Sequence, residues 1–177
     1  MTNAELAILG LIAEEPSHGY QVEQVIEERG MREWTELGFS SIYYVLRRLE
    51  KEGLVESRTE RPAGRGPARQ VYHITSAGRA ALRARVLDAL SIPRRCYLPL
   101  QLGLANLPFI SPPEAMEALQ QYQAELAARL EQLKGKWETQ RPLPYFVDAM
   151  FEHSMAMIRA EQEWLVQFMD RLRDQTG

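Results

Sequence analysis

Ser40-Ser41-Ile42-Tyr43-Tyr44-Val45-Leu46-Arg47-Arg48-Leu49-Glu50-Lys51-Glu52-Gly53 is the stretch that decides the fold. Set at about 100° per residue, Ile42, Val45, Leu46 and Leu49 fall within one sector of about 100°, which predicts a helix with one buried side. The opposite sector collects Ser40, Ser41, Tyr44, Arg47, Arg48 and Lys51, with Tyr43 on its flank. Glu50 and Glu52 lie at the edges, so the outward set holds no acidic residue. Gly53 then stands where a left-handed residue ends a helix.

On the N-terminal side the pattern predicts two more helices. Leu6, Leu9 and Ile12, widened by Ile8 and Leu11, write the first, which stops at Glu15-Pro16-Ser17. Ser17 is the expected cap of the second, in which Tyr20, Val22, Val25 and Ile26 face inward until Gly30. On the C-terminal side the period changes to that of strands. Leu54 to Glu60 and Ala68 to Ile74 flank a loop, Arg61-Pro62-Ala63-Gly64-Arg65-Gly66-Pro67, and together they read as a β-hairpin with a cationic tip. Three helices followed by a hairpin are the plan of a winged helix-turn-helix.

Thr75 and Ser76 offer caps for a helix through Ala80, Leu82, Val86 and Leu90, and an irregular, proline-rich zone runs from 91 to 113. Ser111-Pro112-Pro113-Glu114 then signals a long helix carrying Leu119, Tyr122, Leu126, Leu130, Leu133 and Trp137. Arg141-Pro142-Leu143-Pro144 separates it from a last helix, about Tyr145 to Leu172. That helix carries two apolar stripes: Phe146, Met150, Met157, Trp164 and Phe168 form one, and Val147, Phe151, Ile158, Leu165, Met169 and Leu172 the other. One stripe suffices to cover the chain's own domain. The other calls for a partner, most simply a second copy, so Phe146, Met150, Phe151, Met157, Ile158, Trp164, Leu165, Phe168 and Met169 are the expected dimer interface. The fold class is therefore mainly α with a small β-hairpin: a winged helix-turn-helix domain over 1–90 and a long-helix dimerisation domain over 91–177.

Charge distribution points the same way. The net charge of −3 argues against a nucleic-acid binder when taken whole. Residues 1–39, however, carry two basic residues against eight glutamates, a net of −6, whereas residues 40–85 carry ten basic against four acidic, a net of +6. Only the contacting face has to neutralise phosphates. A charged helix face alone is ordinarily solvated surface. Joined to a cationic hairpin, it becomes a candidate for the major groove, with Ser40 and Ser41 nearest the bases and Arg61 and Arg65 over the backbone or minor groove.

Other classes find little support. No apolar run approaches the roughly 20 residues of a bilayer span, and no basic flank precedes Leu6 as in a signal peptide, so a cytoplasmic protein with no membrane partner is expected. Cys96 is the single cysteine; it is read as an inert thiol in preference to a redox sensor. His18, His73 and His153 are scattered without metal-ligand spacing, and Gly64-Arg65-Gly66 is a hairpin tip and not a phosphate loop. No enzyme, metal or cofactor is expected. The competing class is a winged-helix module that binds a protein, whose mark would be an uncharged third-helix face.

Leu6-Ala7-Ile8-Leu9-Gly10-Leu11, His18-Gly19-Tyr20, Ser41 through Val55, and Tyr72-His73-Ile74-Thr75-Ser76-Ala77-Gly78 follow one another in an order and spacing that resembles the PadR family of bacterial transcriptional regulators. By size and helical pattern the C-terminal half resembles the branch with a virulence-activator-type α-helical domain. The resemblance implies a homodimer on a pseudo-palindromic operator in double-stranded DNA, commonly as a repressor. It further implies a small-molecule effector, often a phenolic acid or a hydrophobic drug, held in or near the C-terminal half. DNA contacts carry over only to Ser40, Ser41, Tyr43, Tyr44, Arg47, Arg48, Lys51, Arg61 and Arg65; the effector's residues are unknown. His18-Gly19-Tyr20 is read as structural, opening the second helix.

Overall fold

Thr2 opens the first helix, α1 (Asn3–Glu14), through a reciprocal cap: its hydroxyl accepts the Glu5 N–H at 3.2 Å, and the Glu5 carboxylate accepts the Thr2 N–H at 2.7 Å. In this computed structural model residues 1–33, 35, 38, 41–61, 68–94 and 99–174 are described. They fall into two compact units, Met1–Arg95 and Cys96–Gly177.

In the first unit, β1 (Ser17–His18) leads into α2 (Gly19–Glu28), and α3 (Ser41–Lys51) follows. Gly53 takes φ 71°, the left-handed conformation that costs a glycine least, and turns the chain into β2 (Val55–Glu60). β3 (Arg69–Ile74) pairs antiparallel with β2, from Val55 opposite Ile74 to Glu60 opposite Arg69. Thr75 caps α4 (Ser76–Ser91) by accepting the Gly78 N–H at 2.9 Å. Ile8, Leu9, Ile12, Val22, Ile26, Ile42, Leu46, Leu49 and Val55 are buried together. Each such side chain contributes about 1.5–3 kcal/mol by leaving water, which holds α3 at a fixed rotation against α1 and α2.

Four local expectations need correction. Ser17 is not the cap of α2; it lies in a third strand that pairs with β3, and His18 caps instead, its Nδ1 accepting the Gln21 N–H at 3.1 Å. Among the described residues the sheet thus has three strands in the order β1-β3-β2, not two. Tyr20 points outward, 58% exposed, because Val22 and Ile26 already fill the inner side of α2. The zone 91–113 is also less irregular than its prolines suggest. It holds α5 (Pro99–Ala105), with proline in the first turn where no N–H is needed, and a 3-10 turn at Leu107–Phe109.

The second unit is built on α6 (Pro112–Gln140) and α7 (Tyr145–Asp174), packed as a helical pair. Leu119, Leu126 and Leu130 meet Met155, Ile158, Leu165 and Met169 in its core. Tyr122 donates its hydroxyl hydrogen to Glu161 at 2.8 Å across the pair. At the turn, Trp137 Nε1 donates to Asp148 at 2.6 Å while the Arg141 guanidinium lies 4.0 Å over the Trp137 ring. Among the described residues, no helix is long and apolar enough to cross a membrane.

Candidate nucleic-acid interface

The rotation of α3 is set by its buried side. Ile42, Val45, Leu46 and Leu49 are buried, whereas Tyr43, Tyr44, Arg47, Arg48 and Lys51 are exposed, Tyr44 by 63%. Arg47 Nε donates to the carbonyl of Tyr43 at 3.3 Å, one turn back, which keeps its guanidinium along the outer face. Lys51 closes that face at the C-terminal end of the helix.

Arg48 is differently placed. Its Nε lies 2.9 Å from Glu5 Oε1 on α1 and 3.1 Å from Glu52 Oε1, so the side chain is drawn to the edge of the helix. The sequence placed Arg48 among the outward cations and assigned Glu5 no role. Glu5 is a polar residue buried in this unit. Its signal was available in Thr2 three residues before it, since that spacing is a capping box, but nothing local pointed to Arg48 as its second partner. Glu50, at the other edge, accepts a hydrogen bond from the Ser57 hydroxyl on β2.

Arg61 is exposed just beyond the end of β2, at the root of the hairpin loop. Ser40, Arg65 and Cys96, and the side chain of Ser41, lie outside the described residues. Beside α3 the structure places a cleft of about 380 Å³ that the sequence did not disclose, lined by His18, Gly19, Tyr20, Tyr43, Arg69, Gln70 and Tyr72. Gly19 leaves room for the Tyr43 ring in its present position: a Cβ there would sit 2.5 Å from Cε1 of Tyr43. Burial holds the Tyr72 hydroxyl above the ordinary tyrosine value, with the Glu50 charge acting in the same direction.

Of the expected interface set on α7, Ile158, Leu165 and Met169 are buried against α6, and Phe151 and Phe168 are half-buried on the same core. α6 supplies the leucines that cover them. Phe146, Met150, Met157 and Trp164 remain exposed in the single chain.

Residues 8–84, which include α3 and both strands of the hairpin, match the model of the transcriptional regulator PadR-like family. Over those residues the first unit of the chain is similar to the PadR-like family. That family is one of transcriptional regulators and not of enzymes. The PadR-like fold also extends beyond the matched segment. The chain is similar to Bacillus subtilis PadR solved in complex with operator DNA, at 22% identity over 95% of this chain and 98% of that one, with a TM-score of 0.76. It is similar to the same protein solved in complex with p-coumaric acid, at 20% identity over 96% and 98%, with a TM-score of 0.78. A PadR-like transcriptional regulator of Bacillus cereus matches at 18% identity over 98% and 99%, with a TM-score of 0.70. At these identities the likeness establishes the fold: winged helix and C-terminal helices alike. No match was found among curated proteins.

Proposed function

We propose that the chain is a dimeric, ligand-responsive transcriptional repressor of the cytoplasm, which reads a pseudo-palindromic operator through the outer face of α3. The observation that carries this reading is the rotation of α3. With its aliphatic side buried, the helix offers Tyr43, Tyr44, Arg47 and Lys51 to a groove, free of carboxylates between them. Arginine reads guanine edges by two hydrogen bonds, tyrosine reaches a phosphate or a thymine methyl, and lysine neutralises backbone charge. Arg61, at the end of β2, and Arg65 in the loop that follows in sequence extend the contact to the adjacent backbone or minor groove. Ser40 and Ser41 approach the bases at the helix start. Arg48 acts as a positioning residue, fixing α3 on α1 through Glu5.

Residues 1–90 form the reader and 91–177 the dimerisation and effector-binding part. The exposed stripe of Phe146, Met150, Met157 and Trp164 is the surface a second copy covers. A twofold pair of α3 helices then addresses half-sites about 10 base pairs apart, or a multiple of that. The complex of Bacillus subtilis PadR with p-coumaric acid supports a phenolic acid or similar hydrophobic molecule as the effector class.

The test is a duplex selected from a random pool by the protein, followed by anisotropy titrations across a salt series. Affinity falls steeply with salt, and Arg47→Ala weakens the selected duplex about 5- to 150-fold, a loss of about 1–3 kcal/mol, with an unchanged melting temperature. A flat salt response, or an Arg47→Ala variant that binds as the parent does, refutes the reading.

A further inference from the structure

The cleft beside α3 contains a contact that its two partners cannot satisfy between themselves. His18 Nδ1 accepts the Gln21 N–H at 3.1 Å, so the neutral ring carries its proton on Nε2. Nε2 lies 2.9 Å from Nη1 of Arg69. A guanidinium has donors only. Two N–H groups therefore face one another, an arrangement that becomes favourable when one negatively charged oxygen accepts from both.

The pair is a product of the sheet register. β1 pairs with β3 so that Ser17 lies opposite Tyr72 and His18 opposite Val71. Arg69, two residues before Val71, shares its side of the strand and is brought to the His18 ring. The cleft around them is lined by tyrosines and Gln70, and among the described residues no carboxylate lines its wall. Glu60, opposite Arg69 on β2, is engaged by His73 Nε2 at 2.9 Å. Tyr43 joins the cleft to the face of α3: its ring is one wall, and its carbonyl accepts from Arg47.

We propose that Arg69 and His18 clamp one backbone phosphate of the bound duplex in this cleft, at the strand bordering the groove that α3 enters. The inference rests on the DNA-reading function above and adds a contact that fixes register and carries no base information. The shared chemistry is an oxyanion, and a free phosphate or carboxylate would present the same oxygens.

A methylphosphonate scan of the selected duplex separates these sources, because it neutralises one phosphate at a time. Besides the positions contacted from α3 and Arg61, parent protein should lose about 5- to 10-fold in affinity at one further position per half-site, and Arg69→Ala should lose the same factor on the unmodified duplex. In Arg69→Ala the methylphosphonate at that position should cost nothing further. The slope of log affinity against log salt should become shallower by about one for each phosphate that is no longer neutralised. His18→Asn keeps a side-chain cap for α2 while removing the Nε2 donor, and should show a smaller loss at the same position. Circular dichroism monitors folding of both variants. Parent protein that binds DNA while Arg69→Ala keeps the full salt slope and the full methylphosphonate penalty overturns the clamp and leaves the reader intact. Inorganic phosphate that binds the free protein through Arg69, with no coupled position in the scan, overturns it in favour of a free-anion site. Parent protein that binds no duplex overturns both.

Discussion

Arg48 Nε lies 2.9 Å from Glu5 Oε1, and the Glu5 side chain is only 2% exposed, so the middle of the winged helix is tied together by a carboxylate held inside it. Glu5 accepts on its other oxygen from the Thr2 N–H, so both oxygens are satisfied. Breaking such a pair costs more than the pair itself contributes, because the remaining partner is left desolvated. Glu5→Gln is expected to lower stability by about 1–2 kcal/mol, read as a shift in urea midpoint with an unchanged slope. Arg48→Ala is expected to lower the melting temperature as well, in contrast with Arg47→Ala. Equal melting temperatures for the two arginine variants would show that Glu5 does not need Arg48.

Gly19 and Gly78 predict opposite kinds of damage. At Gly19 the obstacle to a Cβ is the edge of the Tyr43 ring, the end of an exposed side chain that is able to swing away. Gly19→Ala should therefore leave stability within about 0.5 kcal/mol of the parent while weakening DNA binding through the displaced tyrosine. At Gly78 a Cβ would sit 2.0 Å from the Leu54 carbonyl oxygen, which is backbone. Gly78→Ala should cost about 1–3 kcal/mol, since α4 has to shift off the hairpin root. Thermal melts and duplex titrations of the same two variants check both halves.

Much of this was legible in the sequence. The four apolar positions of α3 recur at helical spacing, and the glycine after it is a positional signal, so both its rotation and its end were readable from residues 40–53. Ser111 and Glu114 likewise announced the start of α6 from four residues. What escaped is what depends on contacts distant in sequence. β1 is two residues long and exists only because β3 is beside it; no periodicity is detectable at that length. The tie between Glu5 and Arg48 spans α1 and α3, and the meeting of His18 with Arg69 spans half of the unit. Cys96, Ser40 and Arg65 lie outside the described residues.

The cap of α6 gives a pH dependence. Glu114 accepts from the Ser111 hydroxyl at 2.6 Å and the Ser111 N–H at 2.8 Å, and those bonds, the hydroxyl's first, hold its carboxyl below the ordinary carboxylate value. A depressed folded-state value means that the contribution is present above the unfolded value, about 4.3, and is lost as pH falls through the lowered folded one. Ser111→Ala should move the Glu114 titration upward, toward the ordinary value, in a carboxyl-carbon NMR titration. It should also speed amide exchange in the first turn of α6 at neutral pH. An unmoved titration would mean that the serine does not hold the carboxylate.

The exposed stripe of α7 bears on assembly. Met157 is 61% exposed and Trp164, stacked 5.2 Å from Phe168, is also open in the single chain. Met157→Glu combined with Trp164→Glu would place two charges in an interface between copies and should raise the dimer dissociation constant by about 100-fold or more. Sedimentation velocity at micromolar concentration should show dimer for the parent and monomer for the variant, with unchanged helical circular dichroism. Operator affinity should fall with it, because the two readers are no longer linked. A variant that sediments with the parent would move the interface elsewhere.

The groove-facing role of α3 is tested most directly by photo-crosslinking from the helix itself. Tyr44→p-benzoylphenylalanine places the probe at a 63% exposed position, and Gln24→p-benzoylphenylalanine places the same probe at an exposed position on α2 as the comparison. With the selected duplex, the expected result is a covalent protein–DNA product from position 44, lost in competition with unlabelled duplex, and little or none from position 24. A duplex that binds with parental affinity to both variants, yet crosslinks from 24 and not from 44, would contradict the assignment of the DNA-reading face.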